Sequence, residues 1–189
     1  MDKTSVSQVS RISRWLLIAV AVAVLAPTGA IAADRSALER SARSAYQKLI
    51  AKVPAAKALS GDAVAVLVFP KITKAGLVIG GQYGDGVLFK DGKVAGYYNT
   101  AGASYGLQAG AQKYGYAMFF MNERALNTLN ANEGFEVGVG PSIVVVDEGM
   151  GKSLTTKTAD NDIYAFIFSQ KGLMAGIGLQ GNKITKLKP

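Results

Sequence analysis

Two hydrophobic periods divide this chain. Within residues 34–60, Leu38, Ala42, Ala45, Leu49 and Val53 recur at steps of four, three, four and four, which is one face of an α-helix. Ser36-Ala37-Leu38-Glu39 has the form of a capping box at its start. Pro54 stops or kinks the helix, and a short helical piece over 55–59 runs to Gly61. From Asp62 the pattern shortens to blocks of β-branched and aromatic residues. The first, 63–69, is bounded by Gly61-Asp62 and Pro70 and predicts a buried strand. Further strands are predicted over 77–79, 87–89, 94–98, 104–109, 116–121, 135–139, 143–146, 163–168, 173–179 and 184–187. Asp85-Gly86, Asp91-Gly92 and Lys171-Gly172 are turn signals between them. One helix interrupts the series: Asn122 is a good N-cap for Glu123 to Leu129, and Gly134 closes that segment. Residues 155–162 are polar and read as a loop. Many short strands with glycine-rich turns and few helices predict an α+β fold. It is mostly an antiparallel β barrel or sandwich, with a basic N-terminal helix and one short helix inserted between strands.

The first 32 residues read differently. Lys3, Arg11 and Arg14 precede an unbroken apolar run, Trp15 to Ala26, followed by Pro27, Gly29 and Ala30-Ile31-Ala32. A basic start, a short apolar core and a small-x-small end are the pattern of a secretory signal peptide, cut after Ala32 or Ala33. The run is shorter than the ~20 residues of a spanning helix. The expected organisation is a signal peptide over 1–32 and one domain over 33–189, in the periplasm or secreted.

Composition narrows the chemistry. The 189 residues include no Cys and no His, and the formal net charge is +8. Disulfides, thiolate nucleophiles, Ser-His-Asp triads and His or Cys metal sites are excluded. Any metal would need oxygen ligands, and neither Asp160/Asp162 nor Asp147/Glu148 completes such a set. These four acids are read as turn and surface residues. Gly176, Gly178 and Gly181 form a G-x-G-x-x-G string, but only eight residues follow, too few for the helix and acidic residue of a dinucleotide site. GGQYGDG, 80–86, lacks the Gly-Lys-Ser/Thr end of a phosphate-binding loop and reads as a tight turn between strands. No cofactor, metal or catalytic set is expected, and the chain is read as no enzyme.

Charge is the more informative signal. Arg35, Arg40, Arg43, Lys48, Lys52 and Lys57 are set against Asp34 and Glu39 alone in the same stretch, and Lys183, Lys186 and Lys188 make a basic C-terminus. Such a helix suits an anionic membrane surface. It equally suits a helix whose Leu/Ala face covers a sheet while its cations are solvated. Nucleic acid is the weaker partner for an exported chain.

FPKITKAGLVIGGQYGDGVLF (69–89) and GYYNTAGASYGLQAGAQKYGYAMFFM (96–121) resemble the SYLF-domain family, also called DUF500. Ser104, Gly106, Gln108 and Gly110 match its S-x-G-x-Q-x-G run. Tyr97-Tyr98-Asn99-Thr100 replaces the Trp-Ser-x-Pro type of stretch of many eukaryotic members. The resemblance implies a lipid-binding domain without catalytic residues; eukaryotic relatives bind phosphoinositide membranes, and some bind actin. For an exported chain it implies anionic phospholipid as the partner. Arg40, Arg43, Lys48 and Lys52 are the expected lipid contacts, and Lys183, Lys186 and Lys188 a secondary patch. The alternative is an interaction protein that docks another envelope protein through its β surface, with exposed Tyr-rich strands.

Overall fold

A computed structural model describes residues 28–76, 79–105, 110–130, 134–146, 154, 160–169, 172–173, 179 and 181–188. The expected signal-peptide core, Trp15 to Ala26, lies outside them, as do 106–109 of the family motif, most of the polar loop, and Gly176 and Gly178.

Residues 1–35 and 36–189 are separate units. Of the first, residues 28–35 are described, as the opening turns of helix α1, Thr28–Lys52. Because α1 begins at Thr28, Ser36 is no N-cap. Its hydroxyl instead accepts from Arg40 Nη1 at 2.9 Å, and Glu39 accepts from the Tyr97 hydroxyl. Pro54 opens α2, Pro54–Leu59, after an extended Val53, which suits a residue that has no N–H to offer a preceding turn.

The rest of the second unit is one mixed sheet curled into a half-barrel. Its strands are β1 (Ala65–Gly76), β2 (Ile79–Lys90), β3 (Lys93–Tyr105), β4 (Gly110–Phe120), β5 (Phe135–Glu136), β6 (Ile143–Val146), β7 (Ile163–Ser169), β8 (Gly172–Leu173) and β9 (Lys183–Lys186). Their order is β5-β9-β3-β2-β1-β4-β7-β6, with β8 on β7. All pairings are antiparallel except β6 with β7. A single curled sheet answers to the barrel expectation rather than to a sandwich. Asp91-Gly92 closes the β2–β3 hairpin with φ of 51° and 72°, the two left-handed residues of a tight turn. Asn122 caps α3, Glu123–Leu129, by accepting from Ala125 N at 2.9 Å.

Strict alternation sends Leu67, Phe69, Leu88, Tyr116, Met118 and Ala165 to the concave face, under α3. Val66, Val68, Val87, Phe89, Phe119 and Phe166 point to the convex face, where Ala42 and Leu49 of α1 and Ala55, Ala56 and Leu59 of α2 cover them. The expected helix face is therefore the packed one, with Leu38, Ala45 and Val53 half-buried beside it.

Two turn expectations are corrected. Pro70 does not end the first strand: β1 runs on to Gly76 across a bulge that shifts its register with both neighbours. Proline is tolerated there because the bulge already lacks a ladder bond. GGQYGDG, including Asp85-Gly86, is no turn either but lies inside β2. The bulge explains one glycine on each side of it. A Cβ on Gly84 of β2 would stand 2.6 Å from Lys71 O, and one on Gly115 of β4 would stand 2.8 Å from Phe69 O. Gly86 lies under the Phe69 ring, whose Cδ1 is 2.6 Å from where its Cβ would be.

Candidate functional site

Helix α1 presents its cations by simple rotation. With Ala42 and Leu49 on the sheet, a turn of ~100° per residue sends Arg40 to the opposite side and Lys48 and Lys52 to one flank. All three are exposed, without a carboxylate partner among the described residues. Arg43 is different. Its guanidinium lies 4.8 Å over the Phe89 ring and donates to Gly92 O at 3.1 Å, so it ties the helix to the β2–β3 turn. The Tyr97–Glu39 bond secures the same helix from β3. The stretch expected to bind lipid thus mixes outward cations with one that holds the helix down.

The C-terminal cations do not form one patch. Ile184 points into the core, so Lys183 lies on the convex side of β9 and Lys186 on the concave side. Lys186 Nζ is 3.5 Å from Asn130 Oδ1, which also accepts from the Tyr98 hydroxyl at 2.9 Å. The Tyr-rich strands are mostly interior: Tyr98, Tyr114, Tyr116 and Tyr164 are buried, and Tyr83 is the well-exposed tyrosine among the described residues.

Inside the half-barrel is a polar cluster that the sequence reading missed. Tyr114 donates to Gln82 Oε1, and Gln82 Nε2 donates to Asn182 Oδ1, each at 2.5 Å. Burial pushes the Tyr114 phenol up to about 12 and the Tyr116 phenol higher still. The Tyr116 hydroxyl lies against Thr100. Yet it, Thr100 Oγ1 and Asn182 Nδ2 have no hydrogen-bond partner of good geometry among the described residues. The available signal was parity: Gln82 shares its strand face with Leu88. Phenols held neutral in this way are poor bases, so the cluster has the character of a structural network rather than of acid–base machinery.

Asp162 was also underrated. It accepts from Asn122 Nδ2 and Arg124 Nη2, both at 2.8 Å, and from Ser142 N and Oγ at 2.9 and 3.1 Å. These bonds hold its carboxyl well below the usual range. They join the start of α3, the approach to β6 and the start of β7. Among the described residues, no group of three or more acidic residues could hold a metal, and no helix is long and apolar enough to cross a membrane.

A half-barrel with a cationic helix on its convex face defines a domain organised around surfaces. Residues 101–188 match the family model described as Ysc84, Las17-binding protein actin regulator. That stretch, from within β3 through β9, is similar to this family, the SYLF family that the sequence resembles, and a non-enzymatic binding role accords with the likeness. Helix α1 lies outside the matched residues; Lys113, Lys183, Lys186 and Lys188 lie within them. No curated protein matches the chain.

Proposed function

We propose that this is an exported binding protein that associates peripherally with anionic phospholipid of the cell envelope through the outward side of α1. The observation that carries the reading is the division of labour on that helix. Its apolar side is spent on the sheet, while Arg40, Lys48 and Lys52 stand exposed. Attachment of this kind is electrostatic, with ~1 kcal/mol for each cation near the surface.

Flotation with phosphatidylglycerol/phosphatidylcholine vesicles tests it. Replacing Arg40, Lys48 and Lys52 together by Gln keeps helix propensity and should weaken binding by about two powers of ten at low salt. The difference should shrink near 1 M salt, where the Debye length is ~3 Å. Equal binding by variant and wild type would remove the helix from the lipid site. Absence of vesicle binding by both would leave a protein partner in the envelope as the surviving reading. Export is tested separately: secreted material should begin near Ala33 by intact mass, and a retained Met1 would overturn it.

A further inference from the structure

The chain has two Asp-Gly pairs, Asp85-Gly86 and Asp91-Gly92, and no Asn-Gly pair. Glycine after aspartate is the sequence most open to ring closure, because no side chain shields the glycine nitrogen from the aspartyl carboxyl. The fold treats the two pairs in opposite ways. Asp85 and Gly86 lie inside β2, opposite Asn99 and Tyr98 of β3. The Asp85 carboxylate accepts from Asn99 Nδ2 at 2.9 Å, and the Phe69 ring occupies the place of a Gly86 Cβ. Ring closure there requires the carboxylate to leave its donor and a central strand to leave its ladder.

Asp91-Gly92 is the two-residue tip of the β2–β3 hairpin, between the paired Lys90 and Lys93. Both tip residues are exposed, and Asp91 is the one non-glycine residue at positive φ among the described residues. Among those residues its carboxylate accepts no hydrogen bond, and Gly92 N donates none. A Cβ on Gly92 would meet nothing within 4 Å, so the tip can turn without disturbing packed neighbours. The tip is also an anchor. Gly92 O accepts from Arg43 Nη1 at 3.1 Å, and the same guanidinium lies over Phe89, two residues before the tip.

We propose that Asp91-Gly92 is a site of spontaneous aspartyl isomerisation, and that the product loosens α1. Gly92 N attacks Cγ of the Asp91 carboxylic acid. The N–Cγ bond forms, the Cγ–OH bond breaks, and the hydroxyl leaves as water with the N–H proton. The five-membered imide then takes up one water. Addition at Cγ restores aspartate. Addition at the Asp91 main-chain carbonyl carbon breaks its bond to Gly92 N and leaves isoaspartate, with the chain running through Cβ and Cγ. Nothing is oxidised or reduced, composition is unchanged, and solvent water is the co-reactant. The product puts one more carbon into the main chain of a turn built for two residues. A shift of Gly92 O by about one bond length, ~1.5 Å, takes it out of hydrogen-bond range of Arg43. Helix α1 then loses its tie to the β2–β3 turn. The proposal does not rest on lipid binding.

Full-length protein held for weeks at neutral pH, folded and in urea, then digested with chymotrypsin, tests it. Cleavage after Tyr83, Phe89 and Tyr97 puts the two pairs on separate peptides, 84–89 and 90–97. Labelling by isoaspartyl methyltransferase measures isoaspartate in each. In the folded protein 90–97 should gain it at least about tenfold faster than 84–89, where hydrogen bonds must break first. In urea the two peptides should react at similar rates. Equal gain in the folded protein overturns the proposal, and so does the same preference in urea, which would belong to local sequence and not to the fold. Deuterium exchange reads the consequence. Amides of α1 should exchange about tenfold faster in protein carrying isoaspartate at 91, and Arg43→Gln should show that rate without ageing. Unchanged α1 exchange in either protein overturns the loosening of the helix.

Discussion

Gly86 and Gly92 stand six residues apart and are glycine for different reasons. Gly92 has φ of +72° and open space where a Cβ would go, so its requirement is conformational. Gly86 sits in extended β2 beneath the Phe69 ring, so its requirement is room. Gly86→Ala should destabilise by about 1–3 kcal/mol through overpacking, and Phe69→Leu in that background should return part of the loss. At Gly92, Asn should be tolerated much better than a β-branched residue, since Asn enters the left-handed region readily. Denaturant melts of these variants check both; a Gly86→Ala protein as stable as wild type would show that the ring does not press on β2.

At the level of elements, Asp162 binds three of them, and its effect on stability depends on pH. Its carboxyl is held below its unfolded value of ~3.9, so the native state releases the proton more readily than the unfolded state. The stabilisation is complete above about pH 4–5 and drains away as pH falls below that range. Asp162→Asn should lower stability at neutral pH by about 1.5–3 kcal/mol, the worth of hydrogen bonds to a charged group. Melts from pH 7 down to 3 should show the gap between wild type and variant closing with acid; a constant gap would contradict the linkage. The elements themselves were largely legible in the sequence. The stripe Leu38-Ala42-Ala45-Leu49, Pro54, Asn122 before α3 and the Asp91-Gly92 turn each act through local chemistry, and each is used as read. Pro70 and Asp85-Gly86 misled, because a bulge supported by glycines on both neighbouring strands is a tertiary arrangement that no local pattern announces. The interior cluster was hidden for the same reason: Gln82 and Asn182 are 100 residues apart and meet only when β9 closes onto β3.

For the molecule as a whole, that closure is the long-range commitment. β9 lies between β3 and β5, brings Ile184 into the core and pairs Thr100 with a residue near the C-terminus. Pairings so distant in sequence form late and slowly. A chain ending at Asn182 would leave the inner edge of β3 unpaired and Phe135 without its strand. Such a truncation should lose the cooperative thermal transition seen by circular dichroism. A truncated protein melting cooperatively within a few degrees of full length would mean the sheet is complete without its last strand.

The bulge at Pro70 and Lys71 also bears on how this strand can lose length. Phe69 and Ile72 are three apart yet both face inward, and β1 carries one residue more than β2 and β4 across the bulge. Removing Lys71 would restore simple alternation and bring both registers into continuous step, with every flanking side chain still on its own face. Removing Val68 instead would turn the residues between the cut and the bulge to the wrong side. A codon deletion, ordinarily ruinous in a central strand, is thus expected to be survivable at this point of β1. Comparing soluble yield and melting of the two deletions tests this; equal failure would show that the bulge is required and not merely accommodated.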